Sequence, residues 1–479
     1  MISKHAFWIG MLLCLSVGCS STLENTSPTP PNIIFLLADD LGYGDLSCYG
    51  SQSIHTPNLD ALAGRGMRFN RFYAGSAVCS PSRASMLTGR FPLRLNIRRH
   101  FDDREMHLPA GTPSLPKALQ QVGYATTHIG KWHLGGIRIE DFEARAFGKA
   151  ANPGPHEHGF EHYLCNIEDP LVRADLIKAR QLYRQGGKTL VRNDARIPEI
   201  KKHWTEIKVD EAIDAIERST QKQQPFFVNL WFDVPHTPYE PAPEPHLSKY
   251  ETMGISGDQL LFRSMVSHLD AQIGRLITHL EAKGLMENTI IIFTSDNGPA
   301  YQGSPGPFKG GKTDLHEGGI RVPMFAVWEG QIPANQYSFQ TAHMTDFFPT
   351  LLALAGVDDK PDNLDGIDLS GHFLRQEEIK RGVLLWQMDL YKHFQNQGPK
   401  PKPYATTIAM QDDWKLLGDS TLATELFDLS QDHRELNNLL GEQPEIEERL
   451  QMALEDFWAA ARNAPFRTSA SEEKSKPSQ

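Results

Sequence analysis

The sequence predicts an α/β fold: a large, mostly parallel sheet flanked by helices, followed by a smaller C-terminal α+β subdomain. Three observations carry this expectation. Four short, largely apolar runs, residues 32–38, 125–129, 226–232 and 289–294, do not alternate and so read as strands covered on both faces, as in a parallel sheet between helices. Segments with apolar residues at three- and four-residue spacing lie between them (116–122, 209–218, 261–283 and the shorter 346–355), so strand and helix alternate. After residue 374 the pattern changes to short runs at 382–388, 405–410, 414–417 and 425–429, divided by turn residues and closed by an amphipathic segment over 444–462. The expected organisation is a main domain over 32–374, a C-terminal subdomain over 375–465 with a polar loop at 391–404, and a polar tail over 466–479.

A chain of 479 residues has ample material for such a core. Its formal charge of −11 argues against nucleic acid as a partner, because phosphate binding needs a basic footprint. An anionic substrate would therefore require a local basic cluster working against the global field. Lys4 and His5 precede an uncharged run over 6–18 that is too short to span a bilayer, so residues 1–18 read as a signal peptide and the protein as exported. Ser16-Val17-Gly18-Cys19 resembles a bacterial lipobox, with Leu15 one position earlier than the usual apolar residue. Either Cys19 is the lipidated first residue of a periplasmic, outer-membrane or cell-surface lipoprotein, with 19–31 as linker, or the chain is cleaved and secreted. Of the five cysteines, Cys48 and Cys165 alone remain for at most one disulfide, since Cys14 leaves with the signal, Cys19 belongs to the lipobox and Cys79 to a motif.

Each main-domain strand ends in polar residues, and in open α/β sheets ligands bind beyond the carboxyl ends of the strands. Asp39 and Asp40 follow the first run, an adjacent carboxylate pair that is costly to hold without a cation. Asp296 and Asn297 end the fourth run and would add oxygens from a neighbouring strand. Carboxylate and amide oxygens without imidazole favour calcium, with magnesium second. Lys131 and His133, within Gly130-Lys131-Trp132-His133-Leu134-Gly135, are two residues apart and on extended backbone would project to the same side. His236 is held between Pro235 and Pro238 at a strand end, a good place for a general acid. Lys309 and Lys312 lie in a glycine-rich segment that runs on to Glu317-Gly318-Gly319 and reads as a flexible loop. Cys79 stands where a helix could begin, with Pro81 in its first turn and Arg83 reaching back to an end that favours anions.

Cys79-Ser80-Pro81-Ser82-Arg83, ending in Leu87-Thr88-Gly89, resembles the signature by which type I sulfatases mark a cysteine for oxidation to Cα-formylglycine. Asp39-Asp40, Lys131 with His133, His236, Asp296-Asn297 and Lys312 occur around it in the order found in formylglycine-dependent sulfatases of the alkaline phosphatase superfamily. The flanking sequence is similar to the arylsulfatase and N-acetylgalactosamine-6-sulfatase branch, and Trp414-Lys415-Leu416 with residues 425–429 resembles that family's C-terminal subdomain. The resemblance implies an alkaline phosphatase-like fold and a formylglycine-generating maturation enzyme as partner. It also implies one calcium on Asp39, Asp40, Asp296, Asn297 and the modified residue 79. One hydroxyl of the hydrated aldehyde would attack the sulfur of a sulfate ester. Lys131, Lys312 and Arg83 would balance charge, His236 would protonate the leaving alcohol, and His133 would take the proton from the second hydroxyl so that the sulfate is eliminated.

The substrate implied is a sulfated carbohydrate, a glycosaminoglycan or algal-type glycan fragment. Arg98, Arg99 and His100 either reach sugar hydroxyls or form a solvated basic turn, and Asn166, Lys309 and Trp386 are further candidates for substrate contact. Rival readings are a phosphoesterase or phosphonate hydrolase with the same metal and nucleophile, a glycan-binding protein with Cys79 unoxidised, and a structural surface lipoprotein.

Overall fold

The computed structural model describes residues 30–101, 106–168, 190–198, 201–389, 405–419 and 422–462. The signal segment, most of the linker, the loop at 391–404 and the polar tail lie outside the described residues. Its strands in chain order are β1 (Asn32–Ala38), β2 (Met67–Phe69), β3 (Phe72–Tyr73), β4 (Ala125–Gly130), β5 (His162–Asn166), β6 (Leu190–Arg192), β7 (Ala195–Arg196), β8 (Phe226–Trp231), β9 (Thr289–Ser295), β10 (Met324–Val327), β11 (Gln336–Ser338), β12 (Ala342–His343), β13 (Leu384–Gln387), β14 (Thr407–Gln411), β15 (Trp414–Gly418) and β16 (Ala423–Asp428).

Ten of them form one sheet, β11-β2-β10-β9-β1-β8-β4-β5-β6-β7, and the run β9-β1-β8-β4-β5 is parallel throughout. The four apolar runs of the sequence are four neighbours of this run. Their lack of alternation has the expected cause: Ile33, Phe35 and Leu37 enter one apolar core while Ile34, Leu36 and Ala38 enter another on the opposite face. Helices Trp204–Gln221 and Gly257–Ala282 cover the second face, and Cys79–Thr88, Leu115–Gln121 and Phe347–Leu354 the first. β13 to β16 form a separate antiparallel sheet packed with the helix Pro444–Arg462. Its core also takes in Ala77, Val78, Leu315 and Ile320 of the main domain. Cys48, Cys79 and Cys165 are free thiols, so the disulfide left open by the sequence is absent among them.

Candidate active site

At the carboxyl ends of β1, β4, β8 and β9 the chain continues the ladder for one more residue. Asp39 N donates to Val234 O, Asp296 N to Ala38 O and Lys131 N to Trp231 O, at 3.1–3.2 Å. Three side chains from non-adjacent sequence are thereby fixed over one crevice. Asp40 then adopts a left-handed conformation (φ 65°), which Asp tolerates better than most residues, and its amide donates to Asp296 Oδ1 at 3.2 Å.

Cys79 is the first residue of the helix Cys79–Thr88, every residue of which is buried. The serines of the motif hold it in place. Ser82 Oγ bonds both the amide and the carbonyl of Ser76 (2.9 and 3.0 Å), fixing the approach to Cys79, and Ser80 Oγ accepts from Phe101 N at 2.9 Å. Gly89 ends the helix at φ 65°, where a Cβ would lie 2.9 Å from Phe348. The Leu-Thr-Gly end of the motif is thus a helix C-cap.

Arg83, fully buried, turns back as the sequence suggests. Its Nε and Nη2 donate to Asp296 Oδ2 at 3.0 and 2.7 Å, its Nη1 to the Lys131 carbonyl at 2.9 Å, and its guanidinium lies over Trp231. Lys131 Nζ reaches Asp39 Oδ2 at 2.6 Å and Cys79 Sγ at 3.5 Å; Lys312 Nζ reaches Asp40 Oδ2 at 2.8 Å. Cys79 Sγ is 3.6 Å from Asp39 Oδ1, and His236 Nε2 is 3.6 Å from Asp40 Oδ2. Asp39 and Asp40 thus each have a lysine that offsets part of their mutual repulsion.

A metal nevertheless fits. Ligand atoms of Asp39, Asp40, Asp296 and Cys79 all lie within 4.8 Å of one another. Asn297 Nδ2 donates to Asp40 Oδ1 at 2.8 Å, while its buried Oδ1 has no hydrogen-bond partner among the described residues. An orphaned carbonyl oxygen beside three carboxylates is a donor set for a hard cation.

The electrostatics follow from burial and pairing. Burial raises the Asp39 carboxyl, but Lys131, His236, Arg83 and Lys312 outweigh it and hold Asp39 well below the usual range. Asp40 is lowered in the same way, chiefly by Lys312 and His236 against burial. Asp296 is raised to about 6 by burial and by Asp39. Burial pushes the Cys79 thiol up to about 12 despite Lys131 and Lys312. His236 is driven down to about 3 by burial and then Lys312.

His133 departs from the reading. β4 ends at Gly130 and His133 is left-handed (φ 57°), so the extended alternation that would align it with Lys131 is broken. Its Nε2 meets the Phe101 carbonyl at 3.2 Å and its amide donates to Glu168 Oε1 at 2.6 Å. One candidate for substrate contact is corrected. Trp386 is 1% exposed, its Nε1 donating to Ala74 O, and packs as a core residue. Lys309 pairs with Glu425 Oε1 at 3.2 Å across the junction of the two sheets. Arg98 pairs with Asp389 at 3.5 Å, Arg99 approaches Met106 Sδ, and the His100 ring is 6.1 Å from that of His133; all three are half-buried. Asn166 ends β5, beside β4. Glu317-Gly318-Gly319 is a short buried helix, Glu317–Ile320, rather than a flexible loop, and its glycine permits close packing, since a Cβ at Gly319 would lie 1.7 Å from Asp314 O.

Carboxylates and cations gathered around a helix N-terminus at the carboxyl edge of a parallel sheet define an α/β protein with a site suited to an anionic group. Comparison with known proteins makes the assignment specific. The Sulfatase family model matches residues 31–357, and that described as N-sulphoglucosamine sulphohydrolase, C-terminal, matches 311–460. N-acetylgalactosamine-6-sulfatase of Canis lupus familiaris is 35% identical over 404 residues, 79% of this chain and 73% of that protein. Arylsulfatase A of Homo sapiens is 33% identical over 90% of this chain and 86% of its own length. The solved structure of Ps i-CgsB in complex with k-i-k-neocarrahexaose superposes with a TM-score of 0.77 at 26% identity, covering 93% of this chain and 96% of that one. The chain belongs to the sulfatase family and is a sulfatase, an enzyme that hydrolyses sulfate esters.

Proposed function

We propose that the enzyme cleaves a sulfate ester of a carbohydrate, using residue 79 as a Cα-formylglycine produced by a maturation enzyme, with calcium held by Asp39, Asp40, Asp296, Asn297 and residue 79. The observation that carries this reading is the placement of residue 79. It begins a buried helix with its Sγ 3.5 Å from Lys131 Nζ and 3.6 Å from Asp39 Oδ1, within 4.8 Å of ligand oxygens of Asp39, Asp40 and Asp296. An aldehyde hydrate at the same position offers a hydroxyl nucleophile and a second hydroxyl through which the sulfated residue collapses by elimination, which serine lacks.

A divalent ion on these oxygens would lower the pKa of the attacking hydroxyl and hold charge on the transferred group. Lys131, Lys312 and Arg83 then balance the equatorial oxygens of that group. The His236 Nδ1 hydrogen bond to the Thr237 carbonyl (2.5 Å) leaves Nε2 as the nitrogen that exchanges a proton with the leaving alcohol. The negative charge of the bound ester raises the basicity of His236 against the effects of burial and Lys312. His133 serves as base for the second hydroxyl, while Arg98, Arg99, His100 and Asn166 form the rim toward the sugar. Support for a sugar comes from the relatives, one named for a sulfated N-acetylgalactosamine and one solved with a neocarrahexaose. Export, through the signal segment with or without lipid on Cys19, suits a glycan-degrading role.

The test joins mass spectrometry of the peptide containing residue 79 with turnover of defined sulfated mono- and disaccharides, an aryl sulfate and an aryl phosphate. The expected results are the mass deficit of a thiol converted to an aldehyde, preference for sulfate over phosphate, and loss of turnover in Cys79→Ala and Cys79→Ser. Full activity in Cys79→Ser, made in a host without serine-type maturation, would overturn the formylglycine mechanism.

A further inference from the structure

The segment that brings Lys312 to Asp40 is held from outside the main sheet. Its backbone is tied within the main domain by Lys312 N to Pro299 O (2.8 Å) and Thr313 N to Ala77 O (2.9 Å), two residues before Cys79. The flanks of the segment are held by the C-terminal subdomain. Glu425 of β16 takes Lys309 Nζ at 3.2 Å on one oxygen and His316 Nε2 at 2.9 Å on the other, while His316 Nδ1 is 2.6 Å from Asp314 Oδ1. Lys415 of β15 places Nζ 3.0 Å from Glu317 Oε1 and 2.8 Å from Glu435 Oε1, and Glu435 Oε2 accepts from Glu317 N at 2.7 Å. Tyr73 Oη and Arg321 Nη1 complete the Glu317 carboxylate at 2.9 and 3.1 Å.

Lys415 and Glu317 are both fully buried. A buried ion pair is a poor way to gain stability, because desolvation offsets most of the attraction. What such a pair does well is fix geometry, and a charge that must meet a transferring group tolerates little displacement. Glu425 and the Lys415–Glu435 pair grip Lys309, His316 and Glu317, three to five residues either side of Lys312. We propose that Lys415, with Glu425 and Glu435, is a positioning residue for sulfate-ester hydrolysis, acting through the segment 309–320 to set the Lys312 ammonium against Asp40, so that the C-terminal subdomain is a working part of the active site. This rests on the reading of Lys312 as a charge-balancing group.

The experiment is a double-mutant cycle on the full-length mature enzyme with an aryl sulfate. Lys415→Met is expected to lower kcat by roughly 10- to 100-fold with little change in KM, as befits a displaced rather than absent charge. In a Lys312→Ala background the same change is expected to cost almost nothing further, whereas a merely structural role would cost as much in both backgrounds. Lys415→Arg should recover much of the rate. Because Lys415→Met leaves Glu317 buried without its partner and can prevent folding, Glu425→Gln, at the half-exposed edge of the network, provides the second cycle, with roughly a tenfold loss expected in the Lys312 background only. Wild-type kcat in a folded Glu425→Gln enzyme, or equal losses with and without Lys312, would overturn the proposal. An active wild type with an unaffected Lys312→Ala variant would instead remove the reading of Lys312 beneath it.

Discussion

Lys312 illustrates what a single residue reveals and hides. In the sequence it was one lysine in a glycine-rich stretch, given a role only by its place after the other motifs. In the fold its Nζ is 2.8 Å from Asp40 Oδ2, and the Asp40 and Asp39 carboxylates raise its pKa against the effect of burial, so it stays charged through the working pH range. Removing such a preorganised cation should cost on the order of 10² to 10³ in kcat, by analogy with lost oxyanion donors. Steady-state kinetics of Lys312→Ala checks this, and an unchanged rate would mean that the ammonium does not face the transferred group. Other residues were illegible for definite physical reasons. Ser80 and Ser82 act through hydroxyl bonds to distant backbone, which leave no periodic trace. His133 was misaligned with Lys131 because a left-handed residue, invisible in the sequence, interrupts the extended geometry on which alternation depends.

At the scale of elements, the legible strands of the main sheet were the four buried on both faces, because continuous apolar sequence is the direct consequence of that burial. β2, β10 and β11 on one side and β5 to β7 on the other passed unnoticed: at two to five residues they are too short for any period to be counted. The helix Cys79–Thr88 was found from chemistry rather than hydrophobicity, since its ten residues are buried although half are polar. Its C-cap offers a test of how rigidly it is seated. Gly89→Ala imposes a left-handed conformation on an L side chain and drives a methyl against Phe348, at a Cβ separation of 2.9 Å. The expected loss is roughly 2–4 kcal/mol of stability, read from denaturant unfolding. A variant as stable as wild type would mean that Phe348 and the helix end yield without cost.

For the whole molecule, a formal charge of −11 required any anion site to be locally basic. Arg83, Lys131 and Lys312 meet that requirement, but Asp296, Asp39 and Asp40 pair with them one for one, so the cluster supplies directed cations rather than a net positive field. The junction of the two sheets is a second ionic cluster, and there the pH dependence can be worked out. Burial lowers the His316 imidazole, but Asp314, Glu425 and Glu435 outweigh it and raise it from the usual 6.5 to about 9. A histidine raised on folding adds stability that is complete below the unfolded value and lost as pH rises through the folded one. The contribution of the His316 link is therefore full below about pH 6.5, declines across the interval to about 9 and is absent above it, a difference of roughly 3 kcal/mol at most. On the acid side the same link weakens as pH falls through the lowered pKa of Glu425, which His316 and Lys309 hold down against burial. Melting temperatures of wild type and His316→Gln should accordingly differ most between the Glu425 titration and pH 6.5, and converge above pH 9. A constant difference between pH 6 and 10 would mean that His316 gains no proton affinity on folding and that its link to Glu425 does not depend on the imidazolium.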